Sequence, residues 1–130
     1  MPAGIFTVST SKTMQLSDIT LQVQKAVAAS TIMDGVCHVY NPHTTAGLTI
    51  NEGADPDVQT DILAALQKIV PQLQYRHQEG NSPAHVMASL VGSSITVFIE
   101  NGRLQLGTWQ KIFFCEFDGP RSRKVLWRIA

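Results

Sequence analysis

The chain has 130 residues and a mass of 14.2 kDa, which is enough for one domain with a sizeable core. Hydrophobic residues make up 44% of it and charged residues 15%, and ten basic side chains balance ten acidic ones. This composition argues against intrinsic disorder, and the zero formal net charge gives no basic footprint for general nucleic-acid binding. No apolar run approaches the roughly 20 residues of a membrane helix, so we expect no membrane segment.

The N-terminus and the cysteines indicate the compartment. Residues 1–11 lack a basic region followed by an apolar core, so the sequence predicts no secretory signal. Cys37 and Cys115 are too few and too far apart for a disulfide framework. We interpret both as small buried hydrophobic residues rather than nucleophiles, because an apolar setting raises the pKa of a thiol. We therefore expect a reducing, cytoplasmic compartment.

Hydrophobic periodicity predicts the elements of the first half of the chain. Residues 5–10 alternate apolar and hydroxyl side chains, which predicts a strand. Ser17 or Asp18 can cap a helix that ends before Gly35, because either side chain accepts a bond from an unpaired backbone N–H. Its apolar face consists of Ile19, Val23, Ala26 and Val27. Strands are then predicted over residues 36–40 and 45–50.

Two further helices follow. The first begins at Asp55-Pro56 and ends before Pro71, where proline at the first helical position is favoured. Its predicted buried face consists of Val58, Ile62, Leu66 and Ile69. Residues 72–82 are polar and irregular, and a short helix from about Ser82-Pro83 to Gly92 is predicted to bury Val86, Met87 and Leu90.

The last third of the chain is rich in predicted strands. Asn101-Gly102 joins residues 95–100 and 103–106 into a tight hairpin, because such a turn needs positive φ. Strands over residues 112–117 and 125–129 complete the pattern. Strands gathered late and joined by hairpins predict one α+β domain over residues 1–130, with mostly antiparallel sheets, two main helices and one short helix.

Three histidines are candidates for a shared site. His43, His77 and His85 each lie at the boundary of a predicted element, where a side chain can point into a cleft. Three neutral imidazoles suit a zinc-like ion and leave an open position for water or substrate. The alternative is that they are separate loop and helix-cap histidines. His38 lies within a strand, and we interpret it as a half-buried structural residue on the face of Val36 and Tyr40.

Glu52 is the preferred candidate for a general base or for a partner to a histidine. It follows an apolar strand and precedes the flexible pair Gly53-Ala54. Asp55 and Asp57 are explained by the positive end of the helix dipole, which favours acidic residues in a first turn. Trp109 could flank a ring, but we interpret it as part of the core or of a subunit interface.

Hydroxyl and guanidinium groups suggest an anion site. Thr44 and Thr45 could hold a phosphate or a metal-bound water, although threonine pairs are also ordinary strand residues. Arg121 and Arg123 are two residues apart, so in an extended segment they could share a face. Two guanidinium groups on one face suit a phosphate or diphosphate. A solvated edge shared with Lys124 and Arg128 is the competing interpretation.

Several motifs occur together in an order that resembles the YjbQ-like family, named for a secondary thiamine-phosphate synthase activity. They cover residues 6–129, nearly the whole chain, and together are far more specific than any one of them. The motifs are His43-Thr44-Thr45-Ala46-Gly47, Asn51-Glu52 with Asp55-Pro56, His77, Pro83-Ala84-His85, Gly107-Thr108-Trp109-Gln110 and Asp118-Gly119-Pro120-Arg121.

The resemblance implies a compact α+β fold, a homotrimer and a pocket near the interface between subunits, in which the three histidines converge around a divalent metal. The implied reaction joins a pyrimidine-methyl diphosphate to a thiazole phosphate and releases diphosphate. The metal with Arg121 or Arg123 would neutralise the leaving group, and Thr44 and Thr45 would add hydroxyl donors. Glu52 would orient a ring amine or move a proton.

Two points stay open at this stage. Histidine ligands favour a zinc-like ion, whereas diphosphate departure is ordinarily assisted by magnesium on oxygen ligands. The alternative functions are a metal-dependent hydrolase of a small phosphorylated or acyl substrate and a non-catalytic metabolite-binding trimer. For the transferase and for the hydrolase, the expected partner is a phosphorylated or acylated small molecule.

Overall fold

The fold consists of two antiparallel sheets and three helices. One helix lies between the sheets at one end, and the other two lie on the outside. The computed structural model describes residues 1–130. In chain order the elements are β1 Ala3–Ser9, β2 Gln15–Asp18, α1 Thr20–Ser30, β3 Gly35–Tyr40, β4 Ala46–Glu52, α2 Pro56–Ile69, α3 Ser82–Val91, β5 Ser94–Glu100, β6 Arg103–Leu104, β7 Gln110–Glu116 and β8 Ser122–Ile129. None of the helices could cross a membrane, since α2, the longest, has 14 residues.

The strand order is β1-β8-β3-β5-β6 in the large sheet and β2-β7-β4 in the small one, with every pairing antiparallel. The main core lies between the sheets and includes Val39, Leu48, Phe114 and Val125. A second core, around Phe113 and Met87, lies between the small sheet and the outer helices. The predicted α+β fold with mostly antiparallel sheets is confirmed.

The start of α1 differs from the prediction. Residues 15–18 form the edge strand β2, whose backbone pairs with β7, so Ser17 lies in a strand and caps nothing. The N-cap of α1 is Ile19, and the Asp18 carboxylate accepts a hydrogen bond from the Thr20 N–H at 2.9 Å. Four residues with a single buried side chain are too few to show strand alternation, which is why the sequence concealed β2.

The two outer helices also correct the prediction of their buried faces. Helix α2 begins and ends as predicted, with the Asp55 side chain accepting from the Asp57 N–H, but it has no fully buried residue and Ile69 is exposed. In α3 the inward residues are Ala84 and Met87, spaced by one turn, while Val86 and Leu90 are exposed. The helix is therefore rotated relative to the predicted face.

The predicted hairpin is present at Asn101-Gly102, where φ is 53° and 73°, although β6 has only two residues rather than four. His38 is exposed rather than half-buried, and it lies on the outer face of the large sheet. Trp109 is 63% exposed and so does not belong to the core of this chain. Cys37 and Cys115 are buried, as predicted, and burial raises their pKa values to about 11 and about 12.

The ends of strands bring three of the segments that carry the candidate site residues to one edge of the molecule. The loop from β3 to β4 and the loop from β7 to β8 lie side by side, because Ala46 pairs with Glu116 at the start of β4 and the end of β7. The buried Asn41 shapes the first loop: its amide donates to the carbonyls of His43 and Ala46 and accepts from the His43 N–H. The N-terminus of α3 closes the third side.

Candidate functional site

A polar cleft of about 460 Å³ lies where these three segments meet, and no hydrophobic side chain lines it. Seven of the eight site residues predicted from the sequence lie in it: His43, Thr44, Thr45, His77, His85, Arg121 and Arg123. The cleft also contains Pro42, Glu79, Asn81 and Asp118. The interpretation of the histidines and arginines as unrelated surface residues is therefore not supported, since His43, His77, His85, Arg121 and Arg123 line the same cleft.

One side of the cleft, which we call the strand wall, is lined by His43, Thr45 and Arg123, and the fully buried Glu116 lies behind them. The Arg123 guanidinium donates from Nε to Glu116 Oε1 at 2.8 Å and from Nη2 to Glu116 Oε2. Nη2 also donates to Thr45 Oγ1 at 2.9 Å. Both members of the ion pair are almost fully buried, so Arg123 does not belong to a solvated edge.

Glu116 is held ionised by its surroundings. Burial alone would raise its pKa, but hydrogen bonds from Arg123, from the Asp118 N–H and from the Thr10 hydroxyl hold that pKa below its ordinary value. The carboxylate therefore fixes the guanidinium in place and balances its charge. These bonds use Nε and Nη2 of Arg123, so Nη1 takes no part in them.

Arg121 lies at the open side of the cleft. Its Nη2 donates to Asp118 Oδ2 at 3.2 Å, and its side chain is half exposed. The Asn81 amide donates to the same Asp118 oxygen at 3.0 Å. A single exposed ion pair of this kind contributes little to stability, so the Arg121 guanidinium can turn toward an anion at low cost.

His43 is tied to the backbone. Its Nε2 accepts the Lys124 N–H at 2.8 Å, from which we infer that the neutral ring carries its proton on Nδ1. Burial, and next the positive charge of Arg123, lower the pKa of His43 below its ordinary value. The ring is therefore neutral at pH 7, and it presents a fixed Nδ1–H donor.

The opposite side, which we call the loop wall, consists of His77, Glu79, Asn81 and His85. The rings of His77 and His85 meet edge to face, with centroids 5.6 Å apart. His77 Nε2 lies 3.8 Å from the Glu79 carboxylate, and both side chains are largely exposed. Two imidazoles of this cleft are thus in contact, while the third belongs to the strand wall.

The three histidines share a cleft but do not form a ligand set. No group of three or more His, Cys, Asp or Glu side chains in the structure is arranged to hold a metal ion. His43 has committed Nε2 to a backbone N–H and, by our inference, carries a proton on Nδ1, so neither nitrogen offers a metal a lone pair. The residues present therefore do not fit the predicted three-histidine metal centre.

Glu52 lies outside the cleft. It is the last residue of β4, whereas the cleft lies before the first. Glu52 is six residue steps along the strand from Ala46, a distance of about 20 Å. Its Oε2 accepts the Asp55 N–H at 2.8 Å, just before α2. Within one chain its observed part is therefore to order the approach to α2, and the structure does not bring it to the histidines.

Sequence reasoning missed Glu116, Asn81 and Asp118. Glu116 had a usable signal, because it is the one charged residue in the apolar run over residues 112–117, and a charge buried in a strand must be paired. Asp118 was noted only as part of a motif. Asn81 precedes the Ser82-Pro83 helix start and gave no separate signal.

An α+β protein with a histidine- and arginine-lined cleft at the ends of its strands is the class that fold and site define. The family model described as "UPF0047 protein YjbQ-like" matches residues 4–130, and the chain belongs to this family. It is 48% identical over 125 residues to UPF0047 protein MJ1081 of Methanocaldococcus jannaschii, covering 95% of this chain and 91% of that one. It is 50% identical over 119 residues to UPF0047 protein YugU of Bacillus subtilis, covering 89% of each.

Solved structures agree with the fold. A protein of the YjbQ/UPF0047 family from Clostridium acetobutylicum has a TM-score of 0.94 and 56% identity, with 97% of this chain and 98% of that one covered. The hypothetical protein APE1520 of Aeropyrum pernix has a TM-score of 0.94 at 36% identity, with 100% and 98% covered. The names of these four proteins state no reaction, so the activity implied by the resemblance stays a prediction.

Proposed function

We propose that the polar cleft binds the phosphate or diphosphate group of a small organic molecule, and that the protein is a transferase acting on that molecule. One observation carries the proposal: a cleft without apolar lining combines two guanidinium groups, two threonine hydroxyls and three imidazoles. Guanidinium groups and hydroxyls are the donors that bind phosphate oxygens in proteins.

The strand wall supplies donors that are fixed before the ligand arrives. Arg123 is held by Glu116 and Thr45, which leaves Nη1 for a ligand oxygen. The Nδ1–H of His43 is fixed by the bond to Lys124. Donors that are already ordered lose little conformational entropy on binding, and they need no reorganisation when charge develops on a leaving group.

The charge of the cleft is balanced rather than strongly basic. Glu116 compensates Arg123, and Asp118 compensates Arg121. Binding of an anion therefore rests on directed hydrogen bonds from charged donors, which are about twice as strong as neutral ones, and not on a broad positive field. Such a site selects for the geometry of a phosphate and would bind general polyanions weakly.

The reaction we propose is the one that the family resemblance implies. The bond between the methylene carbon of a pyrimidine-methyl diphosphate and its diphosphate oxygen breaks, and that carbon bonds to the ring nitrogen of a thiazole phosphate. Arg121, Arg123 and the hydroxyls of Thr44 and Thr45 would stabilise the departing diphosphate, whose negative charge grows as the bond breaks. His77 and His85 can donate ring N–H groups to the same oxygens.

Calorimetric titration with diphosphate tests the binding step. The wild-type protein should bind it, and Arg121→Gln should weaken the affinity about tenfold, since one charge-assisted bond is lost. Arg103→Gln is the matched control, because Arg103 is an exposed arginine at the far end of the β5–β6 hairpin and should leave affinity unchanged. Absence of binding by the wild type at millimolar diphosphate would contradict the proposal.

Formation of thiamine phosphate from the two phosphorylated precursors tests the reaction. We expect product above a protein-free control, and a loss of at least about tenfold in His85→Ala if its ring assists the leaving group. Diphosphate binding without any product would overturn the transferase while leaving the anion site in place. That result would favour the metabolite-binding alternative.

Elemental mass spectrometry tests the predicted metal separately. Because His43 is committed to the Lys124 N–H, we expect no ion that depends on all three histidines. About one zinc-like ion per chain, lost in both His43→Ala and His85→Ala, would restore the metal centre and, with it, the hydrolase alternative.

The homotrimer implied by the resemblance needs a contact surface, and we propose the outer face of the large sheet. Ile5, Tyr40 and Phe98 on this face are each at least half exposed, and the register places Leu126 between Ile5 and Tyr40. Sedimentation should give three times the chain mass of 14.2 kDa. Tyr40→Glu should shift it toward the monomer, while a monomeric wild type would contradict the assembly.

A further inference from the structure

A second cavity adjoins the polar cleft, and we call it the side cavity. Its volume is about 330 Å³, and its floor is apolar, formed by Met14, Val70, Met87 and Phe117. The last three of these are almost fully buried, so the floor is part of the core between the small sheet and the outer helices. Five of its 12 lining residues are hydrophobic, whereas no hydrophobic side chain lines the polar cleft.

The two cavities share a wall made of Asn81 and Asp118, which line both of them. The Asn81 amide nitrogen donates to Asp118 Oδ2, whereas Asn81 Oδ1 is buried without a hydrogen-bond partner. A buried acceptor without a partner is uncommon and costs about 1–3 kcal/mol, so a donor supplied at this wall would be favoured.

The rim of the side cavity is also informative. Gln67 on α2 and Gln72 in the following loop line it, and both side chains are exposed at its mouth. An amide offers both donors and an acceptor. The side cavity therefore presents an apolar floor to the body of a ligand and hydrogen-bonding groups to its edge. This combination is typical of small-molecule sites.

We propose that the side cavity binds the organic group of the ligand whose phosphate occupies the polar cleft, and that this group is a single ring with polar substituents. The inference rests on the proposed function, since it needs a phosphate in the cleft next door. Size supports a single ring: an apolar cavity of roughly 150 Å³ holds benzene, so 330 Å³ accepts one substituted ring.

Methionine methyl groups report on this site without any substitution. The chain has four methionines, of which Met14 and Met87 line the side cavity, while Met33 is exposed elsewhere. In protein labelled with ¹³C at the methionine methyls, phenyl phosphate and 2-phenylethyl phosphate should shift the signals of Met14 and Met87 and leave Met33 unmoved. Inorganic phosphate at saturation should shift neither of the first two by a comparable amount.

Affinities from calorimetry complete the test. At least one of the two phenyl-containing phosphate esters should bind about tenfold more tightly than inorganic phosphate, because the ring leaves water for an apolar floor. Gln72→Trp, which fills the mouth, should reduce that advantage to about twofold or less and leave inorganic phosphate unaffected. Gln74→Trp is the matched control, an exposed glutamine of the same loop that does not line the cavity.

The outcomes separate the two claims. Suppose inorganic phosphate binds as tightly as both phenyl-containing esters and the Met14 and Met87 signals do not move. This result would overturn the side cavity as a subsite and leave the anion site intact. Failure of all three ligands to bind would overturn both. If Gln72→Trp still bound a phenyl-containing ester about tenfold more tightly than inorganic phosphate, the ring would lie elsewhere. That result would contradict the inference.

Discussion

On one side of the cleft, Glu116 and Arg123 are almost fully buried, and four hydrogen bonds join Arg123 to Glu116 and Thr45. On the other side, His77 and Glu79 are exposed residues of a loop, with 3.8 Å between His77 Nε2 and the Glu79 carboxylate. The strand wall is therefore fixed by the fold, whereas His77 and Glu79 in the loop wall are held by few contacts. A site built in this way can hold an anion on the first wall and adapt to the rest of a ligand with the second.

The difference also separates stability from function. A buried ion pair cannot lose one partner without leaving an uncompensated charge in the core, so loss of Glu116 or Arg123 should strongly destabilise the protein. An exposed pair is worth little, so changes to His77 or Glu79 should alter ligand binding and leave the fold intact.

The strongest contrast is expected between Glu116, buried behind the strand wall, and Glu79 in the loop wall. Glu116→Gln leaves the buried Arg123 charge without its counter-ion and should lower the free energy of unfolding by about 3–5 kcal/mol. Glu79→Gln removes an exposed carboxylate from the loop wall and should change it by less than about 0.5 kcal/mol. Urea unfolding of both variants measures the contrast. Equal effects would show that the two walls do not differ.

A smaller effect is expected from the adjacent threonines. Thr45→Val keeps the shape of the side chain but deprives Arg123 Nη2 of an acceptor, which should cost about 1–3 kcal/mol of unfolding free energy. Thr44→Val, at the exposed neighbouring position, should stay within about 0.5 kcal/mol of the wild type. If Thr44→Val were the more destabilising change in the same urea experiment, the assignment of Thr45 to the buried network would be wrong.

The smallest effect concerns pH. Burial and the charge of Arg123 lower the pKa of His43 below its ordinary value of 6.5, so the unfolded chain takes up the proton more readily. The stability that His43 contributes is therefore present above pH 6.5 and is lost as pH falls below it. His43→Gln keeps an acceptor for the Lys124 N–H but cannot be protonated. Between about pH 7.5 and about pH 5.5, the free energy of unfolding of this variant should fall less than that of the wild type. The difference between the two should be under about 1 kcal/mol.

Imidazole ¹H–¹⁵N spectra provide the independent check on the same residue. They should show His43 as the Nδ1–H tautomer, with a pKa below 6.5. A ring that titrates at or above that value would contradict the burial of His43 beside Arg123.

Local pattern was enough to predict much of the fold. Asp55-Pro56 and Asn101-Gly102 act through their own backbone geometry, so α2 and the β5–β6 turn lie where their sequences predict. The edge strand β2 was missed because pairing with β7, and not its own pattern, makes it a strand. The exposed Val86 and Leu90 show the same limit, since helical periodicity offered two faces and only packing selects one.

The motifs predicted which residues gather in the cleft, but not what each one does there. Thr45 and Arg123 are 78 residues apart in sequence, and they meet only in the folded chain, where Thr45 precedes β4 and Arg123 lies at the start of β8. Nothing in the sequence showed that Glu116 would accept hydrogen bonds from two nitrogens of Arg123, or that the Lys124 N–H would donate to Nε2 of His43. Glu52 illustrates the converse, because a motif residue lies at the far end of its strand.

A crystal structure of the protein with saturating diphosphate would locate the anion itself. We expect diphosphate in the polar cleft, with oxygen atoms within hydrogen-bonding distance of Arg121 and of Nη1 of Arg123, and with the bonds from Arg123 to Glu116 and Thr45 unchanged. Diphosphate bound elsewhere, or bound in the cleft without contact to either guanidinium, would contradict this expectation.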